Sequence, residues 1–449
     1  MQTKFTYIIT ALLWMSTVTV LHAQTASLSM KEALDRAKNG NKTIQLQVLE
    51  ERLAQEQVRE SKSHLLPQIG ANMGYSYYFD RQQIFLPGFF AGTTNPVEDV
   101  AVGGRNTFNG VVSLQQPILA LGAQQLTKAS KINEKLEREK TADLQSRVAL
   151  QVSTRYLEML MMNRQLELLE QSVERNKSAL KDARALFAQG RNLKTDTLRS
   201  AIAVSQMNSS VSYLKNNIEV AAMDLKRLIG WEVSEEFQLS DSLEIDPGIR
   251  YSAYYKLEET GQLAEEHRKD VSIQKLSIDL QQRKIKVAQS AWWPQLSLIG
   301  QYQLQAQADD LKLASYVWPN TSFVGLQLNI PIFNGNRTHS QIRQASIKAE
   351  QEEIRLSDLK DAVKTELATL VSQWKEGITQ LDIQTTTVNS AEVNHQMIEA
   401  RFKNGLSSRL ELTDAELALT QTKINYLATV YRLRLLDVQL QAAMGLLNL

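Results

Sequence analysis

The stretch QIGANMGYSYYF, residues 68–79, changes the period of the chain from that of a helix to that of a strand. Apolar side chains alternate with small or polar ones, from Ile69 through Met73 to Phe79. A period of two predicts a β-strand with one apolar face. Pro67 stands directly before the strand and predicts the end of the preceding helix.

Long helical patterns lie on both sides of this strand. Ser29 and Glu32 have the spacing of a capping box, and the helix that they open is expected to continue to about Leu66. Residues 123–189 contain neither Gly nor Pro, which predicts one helix of roughly 100 Å at 1.5 Å per residue. Its distal part carries a heptad, which predicts coiled-coil packing. The heptad positions are Leu166, Leu169, Val173, Asn176, Leu180, Ala183 and Phe187.

The same order of patterns occurs twice along the chain. We expect a first repeat over residues 24–230, an inter-repeat segment over 231–258 and a second repeat over 259–449. The strands are predicted near 68–79, 107–118, 295–305 and 324–330, with long loops over 80–106 and 307–320. The recurring landmarks are Pro67 with Pro294, Pro117 with Pro331, Gly190 with Gly405, and Gly230 with Gly445. The second heptad is Leu381, Gln384, Val388, Ala391, His395, Ile398 and Phe402.

The composition excludes several classes of function. A net charge of +1 gives no sign of a nucleic-acid-binding surface, and the absence of cysteine excludes disulfides and thiol chemistry. No catalytic motif, cofactor fingerprint or cluster with metal-ligand spacing is present, so we expect no enzyme, no cofactor and no metal site. Residues 1–23 have the features of a secretory signal peptide, with an N-terminal membrane anchor as the alternative.

Strands of about eleven residues, tilted near 45°, span the hydrocarbon core of a membrane. In lipid every backbone N–H and C=O group needs a partner, so an open four-stranded sheet is not viable. Closure therefore requires several chains, with twelve strands from three copies or sixteen from four. The helices are too polar for lipid and are expected to project into the periplasm, where a continuous wall of helices forms a tunnel.

The twofold plan, the proline-strand junctions and the two glycine-containing helical tips resemble the TolC-type outer-membrane efflux proteins. The resemblance covers nearly the whole mature chain. It implies a mixed α and β membrane protein with a long α-helical barrel and four transmembrane strands per chain, in a homotrimer that closes a twelve-stranded β-barrel. It also implies an outer-membrane location, a periplasmic adaptor protein and an inner-membrane pump of the RND or ABC type.

The second tip, residues 400–415, resembles the turn at which the family narrows its pore. The family's two acidic gate residues correspond here to Glu411 and Asp414. A spacing of three places them on one helix face, where a trimer would form two rings of carboxylates that attract cations. An ordinary solvated acidic face is the alternative.

The first tip resembles the family at Thr195 and Asp196, where gate-locking partners are found. The gate tyrosine of the family is replaced by Phe402 and the gate arginine by Ser407, so those hydrogen bonds cannot be carried over. Either Arg191 or Arg409 provides another lock, or the closed state is held differently.

Four residues at the tight turns are candidates for adaptor docking: Gly190, Leu193, Gly405 and Leu406. The alternative for the two glycines is plain turn chemistry. Trp292 and Trp293 flank a strand and are expected at the membrane interface, unless they only pack. Asn176 and His395 are expected to set helix register. The lipid-facing residues are expected to include Tyr75, Tyr77, Phe79 and Tyr302.

Three functions are compatible with these features of the sequence. The first is a passive exit duct of a tripartite efflux pump, gated at its periplasmic tip. The second is the outer-membrane channel of a type I protein secretion system with the same fold. The third is an exported, soluble coiled-coil scaffold, against which the four alternating segments argue.

Overall fold

The computed structural model describes residues 26–191, 193–243 and 256–449. The expected signal peptide, residues 1–23, lies outside the described residues. So does the central part of the expected inter-repeat segment, residues 244–255.

Helices dominate the chain, and two of them are 68 and 67 residues long. The absence of Gly and Pro predicted the first of these, whereas the second continues through Gly377. The helices are α1 (Met30–Gly40), α2 (Lys42–Ser63), α3 (Gly88–Ala91), α4 (Leu121–Ala188), α5 (Lys194–Ile229), α6 (Leu257–His267), α7 (Lys269–Gln289), α8 (Arg337–Lys403) and α9 (Arg409–Ala443). Short 3₁₀ turns occupy Ser290–Trp292 and Leu313–Ser315. None of the helices in the described ranges has both the length and the apolarity needed to cross a membrane.

The strands alternate with these helices. They are β1 (Ala26–Leu28), β2 (Gln68–Tyr77), β3 (Gln82–Leu86), β4 (Glu98–Val102), β5 (Asn106–Leu119), β6 (Phe237–Leu239), β7 (Gln295–Ala308) and β8 (Asn320–Asn329). The chain folds into two compact units, each built from both halves of the sequence. We call Gln47–Thr141 with Asp270–Lys360 the strand unit, and Met1–Leu46 with Ala142–Lys269 and Asp361–Leu449 the helical unit.

The strand unit contains the four predicted strands in one antiparallel sheet with the order β2-β5-β7-β8. Its register places Tyr75 opposite Phe108, and Val112 opposite Tyr302. Directly opposite residues share a face, so the residues predicted for the apolar face of each of the four strands form one continuous surface. The alternation in the sequence therefore predicted both the strands and the face that each side chain takes.

The segment between β2 and β5 departs from the prediction. We expected a long loop over residues 80–106, but β3 and β4 pair there as an antiparallel hairpin. Each of these strands has only five residues, and Gly, Pro and Asn residues surround them. In strands this short, the alternation of apolar and polar residues cannot be distinguished from the pattern of the turn residues beside them. Arg81 is paired with Asp309, which ties the base of the hairpin to the loop after β7.

The prediction of one continuous helix from Ser29 to Leu66 is wrong, because the structure has two helices there. The helix breaks at Asn41, and its second part ends at Ser63. The Asn41 amide donates to the carbonyl of Leu228 at 2.8 Å. Its Oδ1 accepts from two backbone N–H groups at the start of α2, at 2.9 and 3.2 Å. The break therefore combines packing against the end of α5 with a local signal that the sequence interpretation missed, since Gly40 and Asn41 are both favoured at helix ends.

The capping box of Ser29 and Glu32 is present as predicted. β1 precedes it and pairs in parallel with β6. The hydroxyl of the fully buried Tyr156 lies 2.8 Å from both the Leu28 carbonyl and a carboxylate oxygen of Asp241. Burial, with the Asp241 carboxylate adding to it, raises the pKa of Tyr156 far above its ordinary value. Tyr156 is therefore neutral, and its hydroxyl binds the end of β1 and holds the start of the described chain in place.

Candidate functional site

The two tips of the helical unit are built in the same way. Gly190 and Gly405 have φ values of 68° and 74°, a region that a residue with a Cβ rarely adopts. In the first tip the N–H of Gly190 donates to the carbonyl of Phe187 at 2.9 Å, and in the second the N–H of Gly405 donates to the carbonyl of Phe402 at 2.9 Å. Turn chemistry thus accounts for both glycines without any partner.

The two tip leucines are both exposed but are not equivalent in the fold. Leu406 follows its glycine directly, and its N–H donates to the carbonyl of Arg401 at 2.9 Å. Leu193 is the N-cap residue of α5, where its side chain cannot accept a hydrogen bond. The position that corresponds to Leu193 in the second tip is occupied by Ser408, the N-cap of α9.

Glu411 has a structural role that the sequence interpretation missed. Ser408 and Glu411 form a capping box, in which the Ser408 hydroxyl accepts from the Glu411 N–H at 3.2 Å and Glu411 accepts from the Ser408 N–H at 3.2 Å. The Ser407 hydroxyl also donates to Glu411. The Ser407 hydrogen bond, followed by that of the Ser408 backbone, lowers the pKa of the Glu411 carboxyl. Asp414 lies on the same helix face and is exposed.

The residues expected to lock the gate are brought together only in part. Asp196 of α5 and Arg409 of α9 line one small cavity of about 50 Å³, together with Arg199 and Thr413. Thr195 is exposed and does not line it. The described structure therefore places Arg409, one of the two proposed substitutes, at the same cavity as Asp196.

The side chain at the family's tyrosine position also meets Arg409. The Arg409 guanidinium lies 5.4 Å from the centre of the Phe402 ring, within the range of a cation–π contact. Phe402 needs no hydroxyl for this contact. Ser407, at the family's arginine position, is committed to Glu411 instead.

Aromatic side chains border the sheet of the strand unit at both ends. Trp292 and Trp293 precede β7, and both are more than half exposed. At the other end the rings of Tyr75, Phe108 and Tyr316 follow one another at centroid distances of 4.9 and 6.0 Å. Two aromatic bands that flank an apolar face are typical of strands that span a membrane.

A sheet of this kind, joined to very long helical hairpins, defines an outer-membrane channel subunit. The family model for outer membrane efflux proteins matches residues 33–231 and 260–446, and the chain belongs to this family. The match begins again after the inter-repeat segment, so it covers both halves of the chain. The resemblance stated from the sequence is confirmed, together with the predicted fold and the efflux-channel function of the class.

Known relatives share the fold at low identity. The outer membrane protein TolC of Escherichia coli is 21% identical over 452 residues, covering 94% of this chain and 84% of TolC. The alkaline protease secretion protein AprF of Pseudomonas aeruginosa is 21% identical over 341 residues, 73% of this chain and 69% of AprF. The solved structure of the transmembrane channel protein CusC superimposes with a TM-score of 0.74 at 17% identity, covering 94% of this chain and 93% of CusC.

Proposed function

We propose that three copies of this chain close a twelve-stranded barrel and act as a passive exit duct through the outer membrane. The observation that carries the proposal is the sheet itself. Within the described residues, β2 and β8 are its two edges, and each offers a row of ten residues without a second neighbouring strand. Unpaired backbone groups are costly in lipid. Because the four strands alternate in direction, β8 of one copy would meet β2 of the next in antiparallel pairing.

The helical unit supports the same assembly. α5 carries a row of exposed large apolar side chains at intervals typical of one helix face. Its members are Leu198, Ile202, Tyr213 and Val220. Neighbouring copies would cover this row and form a wall of helices in the periplasm.

The mass of the detergent-extracted protein tests this proposal. We expect light scattering, with the detergent contribution subtracted, to give a mass near three mature chains for protein purified from outer membranes. Carbonate washing should leave the protein in the membrane, because the apolar face of the sheet is in lipid. A monomer in detergent, or release by carbonate, would contradict the shared barrel.

The cargo would be delivered by partners. We propose that a periplasmic adaptor seats on the tip turns and that an inner-membrane pump of the RND or ABC type supplies the energy, while this chain itself does no catalysis. Channel service in type I protein secretion is the second candidate, because the relative AprF is named for the secretion of a protease. Deletion of the gene would distinguish the two functions. Loss of an efflux duct would raise drug susceptibility, whereas loss of a secretion channel would leave an exported protein inside the cell.

Glu411 and Asp414 are proposed to form the two carboxylate rings at the periplasmic end. Both are exposed and one helical turn apart. The lowered pKa of Glu411 keeps its charge in place as the pH falls through the ordinary range for a glutamate. A ring of such carboxylates concentrates cations at a constriction.

The double variant Glu411→Gln, Asp414→Asn should reduce cation selectivity, measured as the reversal potential in planar bilayers under a salt gradient. Glutamine preserves the acceptor of the capping box, so the start of α9 keeps its structure while both charges are lost. The control is Asp361→Asn, which removes a carboxylate whose side chain is 75% exposed on α8. Equal reversal potentials for the double variant and the wild-type channel would rule out the rings.

A further inference from the structure

Four charged or titratable side chains meet inside the helical unit with unsatisfied atoms. Glu416 of α9 is only 8% exposed. Its Oε2 is buried and has no hydrogen-bond partner among the described residues, and the same holds for Arg175 Nε, His395 Nε2 and Arg409 Nε. Buried polar atoms are nearly always paired, so four unsatisfied atoms on three helices at one place require an explanation.

The charges that act on Glu416 come from three helices. Arg175 of α4, His395 of α8 and Arg409 of α9 favour its ionised form, while Glu399 of α8 disfavours it. Burial has the largest effect and raises the pKa of Glu416 above its ordinary value. Glu399 differs, because its hydrogen bond to Lys403 at 2.7 Å lowers its pKa. Of the two carboxyls in the cluster, Glu416 is therefore the one that takes up a proton first.

Contacts around the cluster join both helical hairpins. The Arg175 guanidinium of α4 donates to the Thr420 hydroxyl of α9 at 3.2 Å, and that hydroxyl donates to the Glu416 carbonyl at 2.9 Å. Arg409, at the start of α9, lies over the ring of Phe402 near the end of α8. A change at Glu416 thus acts on the packing of α9 against α4 and α8.

We infer that Arg175, His395, Arg409 and Glu416 form a proton-responsive clamp that holds the two hairpins together more firmly when Glu416 is protonated. A buried carboxylate without a full set of hydrogen bonds costs free energy, and protonation removes that cost. A carboxyl whose pKa is raised in the folded state contributes stability below its ordinary pKa and loses it as the pH rises through the raised value. Mild acid therefore tightens this packing, and neutral pH loosens it.

The clamp lies within one chain and can be tested without the channel. Only an effect of the clamp on opening of the channel would rest on the proposed function. The test is hydrogen exchange of the full-length protein in detergent, corrected for the intrinsic effect of pH. In wild-type protein, amides of residues 409–420 should be several-fold better protected in mild acid than at neutral pH. In Glu416→Gln they should be protected to the acid level at both pH values. Glu174→Gln, an exposed neighbour of Arg175, should behave as wild type.

Two more variants make the test independent of the folding of Glu416→Gln. Arg175→Gln removes a positive charge that favours ionised Glu416, so the midpoint of the pH dependence should move to higher pH. Glu399→Gln removes a repelling carboxylate, so the midpoint should move to lower pH. A merely structural cluster would not give opposite shifts. Unchanged midpoints, or wild-type protection that does not vary with pH, would overturn the clamp, whereas a monomeric or non-conducting protein would contradict only the proposed function.

Discussion

Alanine at position 40 is expected to destabilise the fold strongly, although it adds a single methyl group. Gly40 ends α1 and touches the end of α5, where a Cβ on Gly40 would lie 2.2 Å from the carbonyl oxygen of Ile229. No real Cβ contact is that short, so two helices would have to separate. We expect a loss of about 3 kcal/mol, near the upper end for overpacking, and a lower thermal midpoint with less protein in the outer membrane.

Gly261→Ala is the matched control for this variant. Gly261 lies inside α6 of the same unit, and a Cβ there has nothing within 4 Å. Alanine in an unobstructed helical position stabilises by roughly 0.5–1 kcal/mol, so its thermal midpoint should equal or exceed that of wild type. If Gly40→Ala melted like Gly261→Ala, the close approach of α1 and α5 would not be a constraint on the fold.

The same joint occurs in the second half of the chain. A Cβ on Gly445 would lie 2.6 Å from the backbone carbon of His267, at the break between α6 and α7. The two joints explain why Gly230 and Gly445 recur in the sequence, since both have φ values of 76° and cap a returning helix against a helix break. The glycines were visible as landmarks, and the Gly-Asn pair at the first break is also a local signal, because both residue types are favoured at helix ends. Arg268 gives no such signal, so tertiary packing determines where the helix stops at the second break.

The strands could be predicted because their environment imposes a period of two. Each side chain of β2 and β7 faces either the apolar surface or the opposite one, and the sequence must alternate to match. The hairpin of β3 and β4 escaped detection since five-residue strands carry too few alternations to be separated from turns. The four long strands could therefore be predicted from the sequence, whereas the hairpin between β2 and β5 could not.

The two tip turns could be predicted from the sequence, but the contacts around them could be predicted only in part. Glycine at each tip marks a required backbone conformation, which is why Gly190 and Gly405 identified the turns. The capping role of Glu411 could have been predicted, because Ser408 and Glu411 have the same spacing as the capping box at the start of α1. The cluster around Glu416 was not, since Arg175 and Glu416 are distant in sequence and only folding brings them together.

Removal of both tip leucines should reduce efflux to the level of a strain that lacks the protein. The variant Leu193→Ser, Leu406→Asp deletes two exposed apolar side chains that we propose an adaptor covers. Docking of leucines into a partner's groove depends on their buried apolar area, and an aspartate cannot be desolvated there at acceptable cost. Accumulation of a fluorescent efflux dye, in cells with the variant as their only copy, measures the effect.

This design separates lost docking from lost folding. Serine at an N-cap supplies an acceptor that leucine lacks, so Leu193→Ser should strengthen the start of α5 by about 1 kcal/mol. Leu406 contributes only backbone groups to the turn, its N–H and a carbonyl that accepts from the Arg401 guanidinium at 3.3 Å, and aspartate retains both. The control is Leu311→Asp, since Leu311 is 67% exposed in the loop after β7 against 68% for Leu406. A trimeric, thermally stable tip variant with normal efflux would show that the adaptor docks elsewhere, whereas loss of efflux in the tip variant alone would place the contact at these turns.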